Sequence, residues 1–238
     1  MEGKIYVGEE VLDAYLPLLT SGQKNFVLTD SNVSRLYPEL FAKYFKDTEI
    51  FVLPAGEEHK TFTSLQQILE RMASAGLHRT SKLFAVGGGV INDTGKILAA
   101  AKNVPQIIVA TAPSMDGFAS ASSSMERSGL KVSLNSKCPD AVIGEAEILA
   151  NAPAHMIRSG IGDMLAKYVS IAEWQIANLI VGDYYCETIA NIVTNALDLC
   201  VKAGAKAVQG DRKAVCTVME GLVLSGLAMN YAEISRPA

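Results

Sequence analysis

The sequence predicts an N-terminal α/β nucleotide-binding domain with a parallel sheet, followed by an all-helical C-terminal domain. Through the first 150 residues, short β-branched runs alternate with helical patterns, which is typical of parallel strands joined by crossover helices. Three consecutive glycines, Gly87, Gly88 and Gly89, follow one of the apolar runs. After Pro153, long helical patterns with little strand signal replace the alternation. These observations place the two domains at residues 1–150 and 151–238.

Strands are expected where apolar runs end in turn or polar residues. The first four runs are residues 25–29, 49–53, 83–86 and 106–110, and a fifth, 141–144, closes the α/β part. Residues 64–75 carry apolar side chains at helical spacing and are followed by Gly76, which predicts a crossover helix with a glycine C-cap. In an open parallel sheet, ligands bind outside the carboxyl ends of the strands. The ends of the first four runs should therefore line one crevice.

Three helices are expected in the second domain. They cover roughly residues 164–180, 184–203 and 212–232. The chain stops soon after the third helix, which would leave a helical bundle with few partners. We therefore expect this domain to be incomplete.

Composition excludes several classes of protein. The net charge of −4 and the pI near 5.5 disfavour a general nucleic-acid binder, because phosphate backbones attract basic surfaces. The N-terminus lacks a secretory signal and no apolar run approaches the ~20 residues of a membrane helix, so we expect no membrane span and a cytoplasmic location. None of the four cysteines forms a CxxC pair, and we expect them to be small buried hydrophobes.

The glycine turn after the run at 83–86 is the first candidate site. Glycines let backbone N–H groups approach a pyrophosphate, and the helix expected from about Asn92 adds its positive N-terminal dipole. The pattern is not the GxGxxG fingerprint, so a nucleotide site and a structural turn both remain open. The acid Asp30, at a strand end, fits either a ribose contact or an N-cap. Asp93 and Lys96 fall in the first turn of the helix, where Lys96 is either solvated or directed at a phosphate.

Two further segments combine small, hydroxyl and acidic residues. Residues 111–120 leave a strand end with several hydroxyls and the carboxylate of Asp116, which suits packing against a flat ligand, whereas a flexible connector running on through the serines at 122–124 is the alternative. Asp163 follows two glycines and either pairs with Lys167 at i,i+4 or ligates a metal. The three histidines form no HxxxH pair, so the residues alone favour a metal only weakly.

Taken in order, five motifs resemble the dehydroquinate synthase-like superfamily, which includes iron-containing alcohol dehydrogenases and glycerol dehydrogenases. The motifs are Pro54-Ala55-Gly56-Glu57 with Lys60, Gly87 to Asp93 with Lys96, Thr111 to Ser120, Pro139-Asp140, and Gly160-Ile161-Gly162-Asp163 with Lys167. The loop from Thr111 and the ending Ser235-Arg236-Pro237-Ala238 are most similar to the sn-glycerol-1-phosphate dehydrogenase branch. The resemblance spans nearly the whole chain.

The resemblance implies an NAD(P)-binding domain, a helical domain, and catalysis in the cleft between them with one divalent metal, zinc or nickel. It gives Asp30 the adenosine ribose, and Asp116 and Asp163 the substrate, with Asp163 also a metal ligand. The implied pyrophosphate contacts are Gly87, Gly88, Gly89, Val90, Ile91, Asn92 and Asp93, and the implied nicotinamide contacts are Thr111, Ala112, Pro113, Ser114 and Ser120. Two later histidines that complete the family's metal site are expected beyond Ala238.

The implied activity is an NAD(P)- and metal-dependent dehydrogenase that interconverts dihydroxyacetone phosphate and sn-glycerol 1-phosphate. Its partner is a small phosphorylated polyol, and the sequence leaves homo-oligomerisation open. Three alternatives are a glycerol dehydrogenase, a 3-dehydroquinate synthase-type lyase and a non-catalytic nucleotide-binding fragment. The lyase is disfavoured because Ser122 to Met125 stand where dehydroquinate synthases carry a Gly-Gly-Lys-Thr-Gly-Val-Asn type stretch.

Overall fold

The computed structural model describes residues 4–22, 24–127 and 130–233, which form two compact units. The first, called the sheet unit, comprises Met1–Thr111 and Ala121–Glu145. The second, called the helical unit, comprises Ala112–Ser120 and Ala146–Ala238. The segment Ser235-Arg236-Pro237-Ala238, used above in the resemblance, lies outside the described residues.

Six parallel strands form the main sheet of the sheet unit. In chain order they are β1 (Lys4–Gly8), β2 (Asn25–Asp30), β3 (Glu49–Leu53), β4 (Lys82–Gly87), β5 (Gln106–Ala110) and a last strand, Ala141–Glu145. The strand order across the sheet is β1, Ala141–Glu145, β5, β4, β2 and β3. The predicted parallel sheet and all five predicted strands are confirmed, whereas the edge strand β1 was missed.

Burial explains why the central strands are readable from the sequence. Every residue of β5 is buried, as are five of the six residues in β2 and in β4. Strands covered on both faces appear as nearly continuous apolar runs. In contrast, β1 lies at the edge, and its first two residues are exposed.

Five helices of the sheet unit connect its strands. They are α1 (Val11–Thr20), α2 (Ser31–Leu36), α3 (Pro38–Tyr44), α4 (Phe62–Ser74) and α5 (Gly89–Lys102). The predicted crossover helix is α4, which starts where the Thr61 hydroxyl accepts a hydrogen bond from the Ser64 N–H. Its buried residues Leu65, Ile68 and Met72 follow the i, i+3, i+7 spacing of one helix face.

A two-stranded antiparallel hairpin replaces the flexible connector expected around the serines at 122–124. It consists of β6 (Ser122–Arg127) and β7 (Leu130–Asn135), so the Ala141–Glu145 strand is β8. Met125 and Ser123 are buried, and Lys96 in α5 donates a hydrogen bond to the Ser122 carbonyl. The connector interpretation is therefore wrong, because pairing with β7 and burial of Met125 order this stretch.

The described residues of the helical unit form five helices. The sequence predicts a helical domain, which is confirmed, but it predicts three helices instead of five. The five helices are α6 (Ala146–Ala150), α7 (Ala154–Leu165), α8 (Lys167–Val181), α9 (Glu187–Val208) and α10 (Arg212–Ala232). The predicted helix at 164–180 is wrong at its start, because α7 ends at Leu165 and α8 begins at Lys167. The third predicted helix is confirmed as α10.

The core of the helical unit includes a cluster around Trp174, which is fully buried and packs against residues of α9 and α10. Helix α10 is, within the described part of the chain, the one helix long and apolar enough to cross a membrane, and 56% of its apolar window is buried inside the fold. Cys200 is buried as expected, whereas the other three cysteines are partly exposed, so the expectation of four buried cysteines is wrong.

Candidate functional site

The glycine turn lies at the carboxyl edge of the parallel sheet. Strand β4 ends at Gly87, and α5 begins at Gly89, earlier than the start expected near Asn92. A Cβ on Gly87 would lie 2.8 Å from Ile91, so packing of the helix on the strand requires glycine there. A Cβ on Gly88 would meet nothing within 4 Å. Packing inside the protein therefore does not require a glycine at residue 88, and the space beside Gly88 is open.

Helix α5 starts without a side-chain cap, because its N-cap residue is Gly88. The first N–H of the helix bonded to a backbone carbonyl is that of Asn92, which donates to Gly88 at 3.0 Å. The preceding N–H groups have no partner within an α-helix and carry the positive end of its dipole. Gly88, Gly89 and Val90 are partly exposed, whereas Ile91, Asn92 and Asp93 are buried. The accessible part of the turn is thus residues 88–90.

Two other predicted positions lie beside this turn. Strand β2, which ends at Asp30, is the neighbour of β4 and pairs Thr29 with Val86. On the other side, the Thr111 N–H donates to the Gly87 carbonyl at 3.2 Å. Asp30 Oδ1 accepts the N–H groups of Asn32 at 2.8 Å and Val33 at 3.0 Å, so its N-cap role is confirmed. A ribose contact by Asp30 remains a prediction.

Beneath the turn, one buried carboxylate lies between two buried ammonium groups. Asp93 Oδ2 is 3.1 Å from Lys60 Nζ, and Asp93 Oδ1 is 3.2 Å from Lys96 Nζ. Lys96 has no exposed surface, so the expectation that it is solvated or directed at a phosphate is wrong. Its partners are Asp93 and the carbonyl of Ser122. This network joins α5 to the loop after β3 and to the hairpin.

Lys60 is held by two carboxylates. Its Nζ lies 2.7 Å from Glu57 Oε1 as well as 3.1 Å from Asp93. Burial lowers the pKa of Lys60, but the Glu57 hydrogen bond and the charges of Asp93 and Glu57 outweigh burial and raise that pKa above its ordinary value. The lysine is therefore fully charged near neutral pH. Sequence analysis gave Lys60 no partner because Asp93 lies 33 residues further along the chain.

The helical unit contains a second lysine–aspartate pair, in which the lysine is buried and the aspartate partly exposed. Lys167 Nζ in α8 lies 2.6 Å from Asp116 Oδ2, and the Ser225 hydroxyl in α10 donates to the same oxygen at 3.0 Å. The backbone N–H of Asp116 donates to Asp163 Oδ2 in α7 at 3.1 Å. The two acids that the resemblance assigns to the substrate thus lie together within this unit.

Two helical glycines allow this close approach. A Cβ on Gly160 would lie 2.0 Å from the Pro113 carbonyl oxygen, and a Cβ on Gly226 would lie 2.6 Å from the Asp116 carbonyl oxygen. Helices α7 and α10 therefore pack directly against the backbone of residues 112–120. In α10, Asn230 Nδ2 also donates to the Ala119 carbonyl at 2.6 Å.

The sequence analysis missed the contributions of α10. Ser225, Gly226 and Asn230 all contact residues 112–120, although they lie more than 100 positions further along the chain. Gly221 and Ser225 lie four residues apart on one face of α10, and this spacing of small residues is a signal of close packing that was available in the sequence. Among the predicted nicotinamide contacts, Ser120 is buried and its hydroxyl donates to the Gly117 carbonyl at 3.1 Å.

The described residues do not form a metal centre by themselves. No group of three or more His, Cys, Asp and Glu side chains within residues 4–22, 24–127 and 130–233 is placed to hold a metal ion. A catalytic zinc uses about three protein ligands, so Asp163 with its described neighbours does not fit one.

A parallel sheet with a glycine turn at the carboxyl edge of its strands, and a unit built of helices, define an α/β protein with a separate helical unit. Residues 7–153 match the family model for iron-containing alcohol dehydrogenase. The chain belongs to the iron-containing alcohol dehydrogenase family. The resemblance found in the motifs is thereby confirmed.

Similar proteins agree with this family. The chain is 32% identical to a Bacillus licheniformis protein named glycerol-1-phosphate dehydrogenase (NAD(P)+), covering 99% of this chain and 60% of that protein. It is also 32% identical to a protein of the same name from Hyperthermus butylicus, covering 99% of this chain and 67% of that protein. The chain thus spans between 60% and 67% of the length of these two relatives.

Solved structures support the fold. A probable glycerol dehydrogenase from Sinorhizobium meliloti superposes with a TM-score of 0.78 at 24% identity, over 95% of this chain and 65% of that one. An iron-containing alcohol dehydrogenase from Thermotoga maritima gives a TM-score of 0.74 at 15% identity, over 96% of this chain and 67% of that one. The predicted fold class is therefore confirmed.

Proposed function

We propose that the chain carries the cofactor and substrate sites of an NAD(P)- and metal-dependent dehydrogenase that interconverts dihydroxyacetone phosphate and sn-glycerol 1-phosphate. Similarity to the two glycerol-1-phosphate dehydrogenases over 99% of the chain supports this activity. The glycerol dehydrogenase alternative has weaker support, because that likeness is 24% identical and concerns the fold. The activity is proposed for the whole protein, because this chain spans 60% to 67% of the length of these relatives.

The observation that carries the cofactor assignment is the open space at Gly88. It lies at the uncapped N-terminus of α5, where N–H groups that lack helical partners favour an anion. We assign the pyrophosphate to the backbone of residues 88–90. The buried side chains of Ile91 and Asp93 support this turn from below, through contact with Gly87 and through the two lysines respectively.

The remaining cofactor contacts are assigned by resemblance. Asp30 would hold the adenosine ribose, which its second carboxylate oxygen could do while Oδ1 caps α2. The nicotinamide half would contact Thr111, Ala112, Pro113, Ser114 and Ser120. The nicotinamide, when bound, supplies the hydride acceptor or donor, and the chain supplies binding and orientation.

Asp116 and Asp163 are the proposed substrate residues. An ionised carboxylate accepts hydrogen bonds from the hydroxyls of a polyol, and Asp116 is held in place by Lys167 and Ser225. Asp163 is fixed by the backbone of Asp116. Zinc or nickel is the proposed metal, with Asp163 as one ligand. The described residues supply no complete metal site, so no proton or hydride step is assigned to a metal.

A reducing, cytoplasmic location is part of the proposal. All four cysteines are free thiols, which suits a reducing compartment.

The cofactor assignment is tested by filling the space at Gly88. Its φ of −88° and ψ of −156° are open to any L-residue, so Gly88→Ala and Gly88→Val should fold normally. In a titration followed by nicotinamide fluorescence, Gly88→Val should weaken NADH or NADPH binding about tenfold or more, with Gly88→Ala intermediate.

The matched control is Gly162→Ala in the helical unit, where a Cβ also meets nothing within 4 Å and NADH affinity should not change. Failure of the unmodified chain to bind NADH or NADPH at millimolar concentration would refute the cofactor assignment. Equal affinity of the Gly88→Val and unmodified chains would refute the placement of the pyrophosphate.

A further inference from the structure

The carboxylate of Asp116 is held through one of its two oxygens. Lys167 Nζ at 2.6 Å and the Ser225 hydroxyl at 3.0 Å both bond Oδ2, from two different helices. Lys167 is 3% exposed and Ser225 is fully buried, whereas the Asp116 side chain keeps 17% of its surface exposed. The donors are thus buried and the acceptor faces outward in part.

Two donors on one oxygen restrict the carboxylate more than a single ion pair does. A lone lysine can follow a rotating carboxylate, because its ammonium has three equivalent N–H groups on a flexible stem. Ser225 removes this freedom, because its short side chain comes from the backbone of α10 and reaches a fixed point. The oxygen Oδ1 is left outside both bonds.

The backbone of the same residue extends the network to α7. The Asp116 N–H donates to Asp163 Oδ2 at 3.1 Å. The Asp116 carbonyl packs closely against α10, because a Cβ on Gly226 would lie 2.6 Å from its oxygen. Side chain and backbone of Asp116 are therefore fixed by contacts to α7, α8 and α10. The backbone contacts hold the residue, while Lys167 and Ser225 decide where its carboxylate points.

We propose that Lys167 and Ser225 are positioning residues that act through Asp116. They hold Oδ2 so that Oδ1 is oriented to accept a hydroxyl of the phosphorylated triose. This inference rests on the proposed function, since it assigns Asp116 to substrate binding. It assigns no contact between the substrate and either positioning residue.

A double-mutant cycle on substrate affinity tests this inference. Dihydroxyacetone phosphate is titrated calorimetrically into the chain saturated with NAD⁺, which cannot reduce it, so that the heat reports binding alone. The titration is done for the unmodified protein and for the variants Asp116→Asn, Lys167→Met and Ser225→Ala, alone and combined with Asp116→Asn. Lys167→Met should weaken binding about tenfold and Ser225→Ala about threefold, and neither should weaken it further in the Asp116→Asn background. Lys167→Arg, which keeps the charge, should restore part of the affinity.

The control is Lys213→Met, which removes an exposed lysine from α10 and should leave both affinities unchanged. NADH affinity should stay within about twofold for all variants, because none of the altered residues is among the proposed cofactor contacts. Ser225→Ala removes a single hydroxyl, so it completes the cycle if Lys167→Met does not fold. Trp174 fluorescence verifies that each variant is folded.

Equal weakening by Lys167→Met or Ser225→Ala with and without Asp116 would overturn the inference, since the residue would then act independently of the carboxylate. Full affinity in both single variants would also overturn it. An unmodified chain that binds NADH but not dihydroxyacetone phosphate would instead overturn the proposed function, and this inference with it.

Discussion

Gly160 in α7 offers the most direct test of how residues 112–120 are packed. A methyl group on this residue would lie 2.0 Å from the backbone carbonyl oxygen of Pro113 and 2.9 Å from Leu222 Cδ1. The leucine could adopt another rotamer, but the carbonyl belongs to the backbone of residues 112–120. Ordinary contacts of a Cβ are 3.4 Å or longer, so Gly160→Ala must move that backbone or the helix by more than 1 Å.

The magnitude follows from two opposing terms. Overpacking a well-packed interior costs about 1–3 kcal/mol, whereas alanine is favoured over glycine in a helix by up to about 1 kcal/mol. Gly162, two residues further along α7, provides the matched comparison because a Cβ there meets nothing within 4 Å. Gly162→Ala should therefore gain about 0.5–1 kcal/mol. Because this gain is common to both variants, they should differ by the overpacking cost, about 1–3 kcal/mol in unfolding free energy.

Thermal and urea unfolding followed by Trp174 fluorescence measure this difference. Trp174 is the one tryptophan of the chain and is fully buried in the helical unit, so it reports on the unit that contains both glycines. A difference of about 1–3 kcal/mol corresponds to about 2–12 °C in Tm for a chain of this size. Equal melting temperatures for Gly160→Ala and Gly162→Ala would refute the close packing of α7 on residues 112–120.

Three further predictions concern buried charges and the second close-packed glycine. Lys96→Met should destabilise the sheet unit by about 1–3 kcal/mol, because Asp93 and the Ser122 carbonyl each lose a buried donor while Asp93 keeps Lys60. Lys43→Met at an exposed pair should change stability little, and urea denaturation that ranks the two variants equally would contradict this. Folding raises the pKa of Lys60, so the stability that its charge contributes is complete below the ordinary lysine pKa of 10.5 and is lost as pH rises through the higher folded value. The unfolding free energy measured from pH 9 to 12 should therefore fall less in Lys60→Met than in the unmodified chain. Gly226→Ala should lower the Tm of the helical unit and weaken binding of dihydroxyacetone phosphate, since its Cβ would displace the Asp116 backbone; calorimetry that shows unchanged affinity would count against that packing.

Local features of the sequence determine much of the fold. The strands β2, β4, β5 and β8 are readable because buried runs end in turn residues. The edge strand β3, of which Leu53 is the buried residue, is readable because its apolar run ends at Pro54, and α4 because its apolar residues repeat at helical spacing. The edge strand β1 was missed because its order depends on pairing with β8, 137 residues away in the first register pair, Lys4 with Ala141. The hairpin at β6 was missed because its serines gain strand structure from β7.

The candidate site divides in the same way. The glycine turn was predictable because it depends on neighbours in sequence, with Gly87 contacting Ile91 and α5 starting at Gly89. The partners of Asp116 were not predictable, because Lys167 and Ser225 lie 51 and 109 residues away and only the folded helices bring them together. A single sequence shows that a lysine and a serine are present at these positions, but it does not show that they bind Asp116.

The central claim is that this chain binds a nicotinamide cofactor and a phosphorylated triose together. The most direct measurement is a calorimetric titration of dihydroxyacetone phosphate into the chain saturated with NAD⁺ or NADP⁺, with which it cannot exchange a hydride. Titration of glycerol into the chain saturated with NADH or NADPH is the comparison. The account predicts that dihydroxyacetone phosphate binds the cofactor-loaded chain and that Asp116→Asn weakens this binding about tenfold. Tighter binding of glycerol than of dihydroxyacetone phosphate, or no binding of either to the cofactor-loaded chain, would contradict it.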